Sequence, residues 1–266
     1  MSAPMISIVK EPFSREFETH DRFTPPFLDA EVDRLKKTIA SRECAVLAGP
    51  AGCGKTVVIR TLRDQLPAGR YRLTYLKLAA LGARDMCRHV GLGIGLDTRG
   101  SMPSFISAFD NHFSKSYNDE NQKNVIIFDD AHELRPEAFR LIRVLTNFEM
   151  DSRLMLSVIL VGQNTLKDKL SAPGMEDVKQ RMSYYSEIRL LDCNETREYI
   201  THRLCHVGCT NMPFSDESLA VVFDITRGNM RAIDKICGMA LRLAQEKKLS
   251  IVNPMEIASA RSRLLV

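Results

Sequence analysis

One eight-residue stretch of this sequence has the residue types and the spacing needed to hold a phosphate chain. Residues 49–56 are GPAGCGKT, which matches the pattern G-x-x-x-x-G-K-[ST] at every fixed position. Glycines in such a loop let backbone N–H groups surround phosphate oxygens, and the helix that follows presents its positive end to the same anion. Lys55 is expected to reach the β- and γ-phosphates, and the Thr56 hydroxyl to ligate Mg²⁺. The predicted phosphate-binding residues are Gly49, Pro50, Ala51, Gly52, Cys53, Gly54, Lys55, Thr56 and Val57.

Two carboxylates follow an apolar segment downstream of this loop. Residues 125–128 are all apolar, and Asp129 and Asp130 come directly after them. In a phosphate-loop NTPase an acidic residue at the end of such a strand binds Mg²⁺ or its water, which is the role expected of Asp129. Asp130 is expected to orient or deprotonate the attacking water, with Glu133 as the alternative. Glutamate is the common residue for that step, so the shorter Asp130 leaves the rate of hydrolysis in question.

Three polar side chains further along the chain could assist this chemistry. Gln163, or else its neighbour Asn164, follows an apolar run and could touch the γ-phosphate or the attacking water. Arg181 precedes the last predicted strand, where a guanidinium can reach the γ-phosphate held by a neighbouring subunit. Arg231 ends the turn Gly-Asn-Met-Arg and could report the nucleotide state to the helix that follows. The structural alternatives are a polar loop, a local ion pair and a solvated surface arginine, respectively.

Strands and helices are predicted to alternate up to about residue 191. The strands are apolar throughout rather than alternating, which is typical of a parallel sheet covered by helices on both faces. From residue 192 onward only helices are predicted, the last beginning with a capping box at 253–256. The predicted strands are 44–48, 71–78, 125–128, 154–161 and 186–191, and the predicted helices are 29–41, 56–65, 85–91, 104–116, 135–148, 195–206, 218–225, 230–246 and 254–265.

These patterns divide the sequence into three predicted parts. The first is an N-terminal arm at residues 1–30, which contains four phenylalanines and is expected to pack onto another part of the protein. The second is an α/β nucleotide-binding domain at 31–191. The third is a small helical domain at 192–266.

Composition excludes several classes of protein. The chain has 266 residues, of which 44% are hydrophobic and 26% charged, values typical of globular proteins rather than of disordered or fibrous chains. No apolar run approaches the roughly 18 residues of a membrane-spanning helix, and the N-terminus has no apolar signal core. Seven scattered cysteines favour a reducing cytoplasm. The net charge of +4 permits contact with nucleic acid without arguing for it.

The order of these motifs resembles that of the AAA+ ATPases over roughly residues 30–245. The stretches IIFDDAHELRPEAFRLIRVLTNF, SVILVGQNTLKDKL and TRGNMRAIDKICGMAL are more specific. They are similar to the bacterial group that joins the secretion ATPase ExeA to the transposition ATPases TniB, TnsC and MuB. The resemblance implies a P-loop AAA+ parallel sheet flanked by helices and followed by a C-terminal helical lid. It also implies ATP and Mg²⁺ as ligands and a homo-oligomer, either a ring or a helical filament, that forms with ATP.

Within that group the transposition branch is favoured. The secretion-type relatives carry a membrane segment and a cell-wall-binding region after the ATPase, and this sequence reaches Val266 without either. In the transposition members the assembly wraps double-stranded DNA, marks the target site and recruits the transposase. The expectation is therefore a slow, DNA-stimulated ATPase of the bacterial cytoplasm, associated with the nucleoid and with no membrane contact. A secretion-type or replication-loader ATPase acting on a protein partner is the alternative.

Basic side chains near the second predicted strand are the candidates for contact with DNA phosphates. They are Lys77, Arg84, Arg88 and Arg99, and a solvated surface is the alternative interpretation for each of them. A stripe of His202, Cys205, His206 and Cys209 could bind zinc but is more typical of a packed helix face. Two further functions stay open, a small-molecule kinase and a scaffold that binds ATP with little turnover.

Overall fold

The computed structural model describes residues 11–14, 16, 21–77, 81–119, 122–209 and 211–264. The chain divides into two compact units. The sheet unit contains residues 27–49 and 58–188, and the helical unit contains residues 1–26, 50–57 and 189–266. The phosphate loop therefore groups with the helical unit, although it directly follows a strand of the sheet. The predicted limits of the three parts of the chain stay a prediction.

The sheet unit is built on five parallel strands. In chain order these are β1 (Cys44–Ala48), β2 (Tyr71–Lys77), β3 (Lys123–Asp129), β4 (Leu156–Gly162) and β5 (Met182–Glu187). Their order across the sheet is β2-β3-β4-β1-β5. Every residue of β1 and β4 is buried, because these strands lie inside the sheet between other strands and under helices. The predicted fold class, a parallel sheet flanked by helices with a helical C-terminal region, is confirmed.

The carboxyl ends of the strands meet at one level of the sheet. Lys77 of β2 pairs with Asp129 of β3, and Phe128 of β3 pairs with Leu160 of β4. Ala48 of β1 pairs with Gly162 on one side and with Glu187 on the other. The residues that follow β1, β3 and β4 therefore leave the sheet from the same edge.

Seven α-helices of the described residues accompany the strands. They are α1 (Pro26–Ala40), α2 (Lys55–Gln65), α3 (Ala83–Ile94), α4 (Met102–Asp119), α5 (Pro136–Leu145), α6 (Thr165–Ser171) and α7 (Glu176–Gln180). Helix α1 begins at Pro26, so the last residues of the predicted arm are helical. Helices α6 and α7 were not predicted, because each is too short to show a helical period. The sheet-unit core is rich in aromatic side chains, including Phe109, Phe113, Phe128 and Phe139.

The limits of several predicted elements were wrong, and the local structure explains two of them. The last strand was expected at 186–191 but is β5, in which exposed residues alternate with half-buried or buried ones. As an outer strand of the sheet it need not be apolar on both faces. The helix expected at 135–148 ends at Leu145, because the Thr146 hydroxyl donates to the carbonyl of Ile142 and Phe148 instead pairs with Arg153 in a bridge.

In the part of the helical unit that the structure describes, four α-helices follow residue 192. They are α8 (Cys193–His206), α9 (Asp216–Thr226), α10 (Met230–Glu246) and α11 (Pro254–Ser262). Asp192 and Glu195 form a capping box at the start of α8, and Asn253 and Glu256 form the predicted one at the start of α11. Among the helices of the described ranges, none combines the length and the apolarity needed to cross a bilayer.

Part of the N-terminal arm packs on this helical unit. Phe13 is 8% exposed and meets the ring of Phe214 edge to face at 6.3 Å. Arg203 of α8 is buried, and its guanidinium donates to the backbone carbonyls of Pro12 and Ser14. These contacts satisfy a charge that would otherwise be costly to bury. Phe13 of the arm thus packs on the helical unit, whereas Phe17 lies outside the described residues.

Candidate functional site

The phosphate loop connects β1 to α2. Its backbone turns through a left-handed conformation at Gly52, with φ of 80°. A side chain there would be strained, and a Cβ would lie 2.1 Å from Oδ1 of Asn229. Helix α2 begins at Lys55, so the free N–H groups of its first turn follow directly on the loop. This is the arrangement that binds phosphate at a helix N-terminus.

The chemically active side chains of the loop differ in exposure. The Lys55 Nζ is half-buried and donates to the carbonyl of Pro50 at 2.8 Å, while Thr56 is exposed. Cys53 is 1% exposed, and burial raises the pKa of its thiol, so the side chain stays neutral. These features support Cys53 as a small loop residue and not as a reactive thiolate.

The turn before α10 contacts this loop within the helical unit. Asn229 Nδ2 donates to the carbonyl of Ala51 at 2.7 Å, and the backbone N–H of Met230 donates to the carbonyl of Gly52 at 3.2 Å. Arg231 is exposed, and its Cβ would lie 3.1 Å from a Cβ placed on Gly52. The structure therefore brings Arg231 beside the phosphate loop, and its contact with a nucleotide stays a prediction. The role of Asn229 was missed, although the residue is part of the quoted motif.

Asp129 ends β3 at the carboxyl edge of the sheet, and two donors hold its carboxylate. Its Oδ2 accepts from the hydroxyl of Tyr75 on β2, and its Oδ1 accepts from the backbone N–H of Asp130 at 2.9 Å. Burial, and then the bond to Asp129, raise the pKa of Tyr75, so this hydroxyl remains a donor at neutral pH. No local sequence pattern indicates Tyr75, because its contact with Asp129 depends on the register between β2 and β3.

Asp130 directly precedes a short 3-10 helix at Ala131–Glu133, and Glu133 is the last residue of that helix. Asp130 has a left-handed backbone, with φ of 56°, a conformation that aspartate tolerates better than most residues. Glu133 is exposed and lies 3.2 Å from Nε2 of His132, which is buried. Asp130 thus follows the strand end directly, whereas Glu133 is already paired with a neighbouring imidazole.

Gln163 and Asn164 follow β4 at the same edge. Both are exposed, but their contacts differ. Asn164 Nδ2 donates to the Glu187 carboxylate at the end of β5, at 2.8 Å. Because β4 lies between β3 and β1, these side chains are placed next to the strand end that carries Asp129. The choice between Gln163 and Asn164 stays a prediction.

Arg181 lies where the strands of the sheet begin, whereas Asp129 lies where they end. It precedes Met182, which pairs with Cys44 at the start of β1. A strand of six residues spans about 20 Å, so Arg181 is a strand's length away from the carboxyl edge of its own sheet. Its guanidinium makes two hydrogen bonds to the Asp151 carboxylate, at 2.8 and 2.9 Å, and lowers the pKa of that group. Asp151 was not identified from the sequence.

Three of the four candidate DNA-binding residues line one cleft. Arg84 and Arg88 lie one turn apart on α3, and Arg99 faces them from the loop before α4, around a volume of about 370 Å³. Arg99 is paired with Asp97, whereas Arg84 and Arg88 are exposed and form no ion pair within the described residues. Lys77 is exposed at the end of β2 and does not line this cleft.

The candidate zinc stripe does not stay on one helix. Helix α8 ends at His206, and the Sγ of Cys209 contacts the carbonyl of Asn211 instead. His206 lies 3.5 Å from the carboxylate of Asp21. Over the part of the chain that the structure describes, no group of three or more His, Cys, Asp and Glu side chains could hold a metal ion.

Comparison with known proteins adds a family and a fold. The family described as AAA domain matches residues 38–170. General secretion pathway protein A of Aeromonas hydrophila is 27% identical over 198 residues, which are 74% of this chain and 36% of that protein. The chain thus spans about a third of the length of this curated relative.

Solved structures with the same fold include Cdc6 and ORC proteins. Cdc6p of Pyrobaculum aerophilum has a TM-score of 0.75 at 17% identity, over 97% of this chain and 72% of the other. Drosophila ORC bound to DNA has a TM-score of 0.68 at 17% identity, over 96% and 65%. The ORC2 protein of Aeropyrum pernix, in ADPNP–ADP complexes, has a TM-score of 0.68 at 12% identity, over 96% and 71%.

Proposed function

This chain belongs to the AAA domain family, and from that premise we propose that it hydrolyses Mg²⁺-ATP and assembles on double-stranded DNA to recruit or activate a transposase. The observation that carries the ATPase part is the phosphate loop, whose left-handed Gly52 leads into Lys55 at the first turn of α2. The family match makes the chain a P-loop nucleotide-binding protein. ATP as the nucleotide, its hydrolysis and the DNA-dependent role are the proposal.

Thr56 and Asp129 are the proposed ligands of the magnesium ion. Their hydroxyl and carboxylate oxygens are the donor type that Mg²⁺ prefers, and a nucleotide-bound Mg²⁺ uses only one or two protein ligands. The Asp129 carboxylate is already oriented by Tyr75 and by the Asp130 backbone, which fits a group that must present an oxygen in a fixed direction. When bound, the ion would neutralise charge on the phosphates.

The proposed catalytic residues act on the attacking water and on phosphate charge. Asp130 is proposed to orient the water, with Glu133 as the second candidate and Gln163 beside them at the strand ends. Arg231, placed next to the phosphate loop, is proposed to contact the nucleotide. Arg181 is proposed to act on the nucleotide of a neighbouring subunit, since it lies a strand's length from the carboxyl edge of its own sheet.

The arginine cleft on α3 supports contact with DNA. Two guanidiniums one turn apart, which form no ion pair with any residue that the structure describes, suit successive phosphate groups of a nucleic-acid backbone. The proteins of this fold whose structures contain DNA include Drosophila ORC. Such contacts recognise charge rather than sequence, so the proposal includes little sequence preference. The same proposal puts the protein at the nucleoid of the bacterial cytoplasm.

The charge contacts can be tested by the salt dependence of DNA binding. We expect the double variant Arg84→Ala/Arg88→Ala to bind duplex DNA about tenfold more weakly, with the slope of log K against log salt reduced by about 2. The variant Arg261→Ala/Arg263→Ala removes the same charge from exposed positions on and after α11 and is the matched control. Equal slopes for the two variants would remove this cleft from the DNA surface.

A second candidate function is supported by the similarity to general secretion pathway protein A. In that case the ATPase acts on a protein partner, as a secretion-type or loader ATPase, and DNA has no part in its cycle. The two functions differ in one observable, because only the first predicts that duplex DNA accelerates phosphate release.

Negative-stain electron microscopy tests assembly directly. The protein is imaged with duplex DNA and ATP, a non-hydrolysable ATP analogue or ADP, beside the variant Lys55→Ala. Rings or filaments on DNA that form only with a triphosphate, and not with Lys55→Ala, are the expected result. Particles that do not bind DNA in any nucleotide state would contradict the transposition function and favour the function in which the ATPase acts on a protein partner.

A further inference from the structure

We propose that Asn229 is a positioning residue that fixes the phosphate loop to the first turn of α10, so that the loop and this helix bind nucleotide as one rigid piece. The inference deepens the proposed nucleotide-binding function and rests on it. It concerns residues 50–57 and 228–231, which belong to the same compact unit.

The side chain of Asn229 has two simultaneous functions in the structure. Its Oδ1 accepts from the backbone N–H of Ala232 at 3.2 Å and so caps α10. Its Nδ2 donates to the carbonyl of Ala51 at 2.7 Å. A carboxamide is suited to this pair of bonds, because one end accepts and the other donates in the same plane. A cap alone needs only the acceptor, and serine or aspartate would supply it.

The backbone adds a second link beside the first. The N–H of Met230, one of the free donors at the start of α10, bonds to the carbonyl of Gly52 at 3.2 Å. Two successive carbonyls of the loop, those of Ala51 and Gly52, are therefore directed toward α10. When a peptide carbonyl is fixed, the N–H of the same peptide unit is fixed on the opposite side. The links to α10 thus set the direction of the N–H groups of Gly52 and Cys53, of which that of Cys53 donates to the carbonyl of Pro50 at 3.4 Å in this structure.

Two glycines allow this approach. Gly52 has no side chain, and the Asn229 carboxamide occupies the space that a Cβ at this position would need. Gly228 has φ of 78°, and a Cβ there would lie 1.8 Å from the carbonyl oxygen of Leu191. The chain before Asn229 is thus held against Leu191, whose N–H also donates to the Gly228 carbonyl at 3.2 Å. The turn that carries Asn229 is fixed at both ends.

Substitutions at Asn229 can separate the capping function from the link to the loop. Asn229→Ser keeps an N-cap acceptor but is too short to reach Ala51. Asn229→Asp keeps the shape and the acceptor but places a carboxylate oxygen against the Ala51 carbonyl. Asn229→Ala loses both functions. Asn253→Ser is the matched control, because Asn253 caps α11 in the same unit.

The readouts are the dissociation constant of a fluorescent ADP analogue, the thermal midpoint without nucleotide, and amide hydrogen exchange of peptides covering residues 49–57 and 228–232. We expect about fivefold weaker ADP binding for Asn229→Ser, the equivalent of one neutral hydrogen bond, and a larger loss for Asn229→Asp. Exchange of both peptides should accelerate without nucleotide, while the thermal midpoint stays near that of the wild type. Asn253→Ser should match the wild type in ADP binding.

Two results would overturn the inference. If Asn229→Ser and Asn229→Asp bind ADP and exchange amides like the wild type, Asn229 is only a helix cap. If Asn229→Ser lowers the thermal midpoint as much as Asn229→Ala does, its effect is structural. Failure of the proposed function is distinct, because the wild type would then bind ADP no better than Lys55→Ala, whereas the exchange measurement would still report on the link.

Discussion

At the scale of single residues, the carboxylate of Asp129 depends on the hydroxyl of Tyr75. Removing that hydroxyl frees one carboxylate oxygen to rotate away from the proposed ion, and outer-shell donors of this kind typically affect metal affinity about tenfold. We therefore expect Tyr75→Phe to raise by about tenfold the Mg²⁺ concentration that gives half-maximal hydrolysis. Stability should change little, because Tyr75 is 44% exposed.

The matched control for this prediction is Tyr185→Phe. Tyr185 is 38% exposed and lies on β5, so the substitution removes a hydroxyl of similar exposure from another strand. Magnesium titrations of phosphate release would compare the two variants. A Tyr75→Phe protein with unchanged magnesium dependence would show that Asp129 needs no orientation by β2.

Asp130 and Glu133 can be distinguished by neutral isosteres. Asp130 follows the strand end directly, whereas Glu133 lies against His132, so we expect Asp130→Asn to reduce the rate of phosphate release by a hundredfold or more. ATP affinity should stay within a factor of two, since no phosphate contact is removed. Glu133→Gln is the paired variant and should retain most of the activity. The reverse pattern would assign the water to Glu133.

At the scale of elements, the sequence was most informative where one period dominates. The apolar run of β1 and the amphipathic helix α10 were predicted with the limits that the structure has, and four of the five strands were found within a few residues. β5 was misplaced because its sequence, MSYYSE, is neither uniformly apolar nor a strict alternation of apolar and polar residues. Helices α6 and α7 have too few turns for a period to emerge.

The candidate site was predictable only in part, for a related reason. The phosphate loop is one contiguous stretch of sequence, and the two aspartates are another, so a local pattern is enough to identify each of them. Tyr75, Asn229 and Asp151 act through partners that are 54, 178 and 30 residues away. Such pairs depend on strand register and on helix packing, which no local pattern encodes.

The capping boxes of α8 and α11 predict an acid-sensitive helical unit. The hydrogen bonds from Arg189, then those from the backbone, hold the pKa of Glu195 below its usual range. For Glu256 burial acts in the opposite direction, but the bonds from Lys247 and the Asn253 backbone still give a lowered pKa. A depressed pKa means that stabilisation is present above the ordinary value of 4.5 and is lost as the pH falls through the folded-state value.

Glutamine at these two positions keeps the capping bond without the charge. We expect Glu195→Gln/Glu256→Gln to lose about 1 kcal/mol of unfolding free energy per site at pH 7, the difference between charged and neutral hydrogen bonds. Its stability should then change less than that of the wild type between pH 5 and pH 3. Urea unfolding followed by circular dichroism measures both quantities, and parallel pH profiles would contradict the prediction.

At the scale of the whole molecule, the position of Arg181 predicts that ATP hydrolysis requires an assembly of subunits. We expect Arg181→Ala to bind ATP like the wild type but to hydrolyse it at least a hundredfold more slowly, because the neighbour's phosphate charge is no longer neutralised. Lys55→Ala is inactive for the opposite reason, since it binds no nucleotide. Mixed in equal amounts, the two variants form interfaces that pair an intact loop with an intact arginine.

Phosphate release from that mixture is the measurement. Partial recovery of activity, with a maximum near equal proportions, is the expected outcome. If the mixture stays as inactive as its components while still assembling, Arg181 serves its own subunit through its pair with Asp151 and has no role across an interface.

The turn that holds Asp151 contains three successive non-glycine residues in a strained backbone conformation. Glu149, Met150 and Asp151 have left-handed φ values of 47°, 57° and 67°, and a non-glycine residue in that conformation costs roughly 1 kcal/mol or more. Met150 is 98% exposed, so burial does not compensate for it. Glycine would suit the backbone better at Met150, in the same turn that presents the Asp151 carboxylate to Arg181. Engineering for heat resistance would therefore begin at Met150.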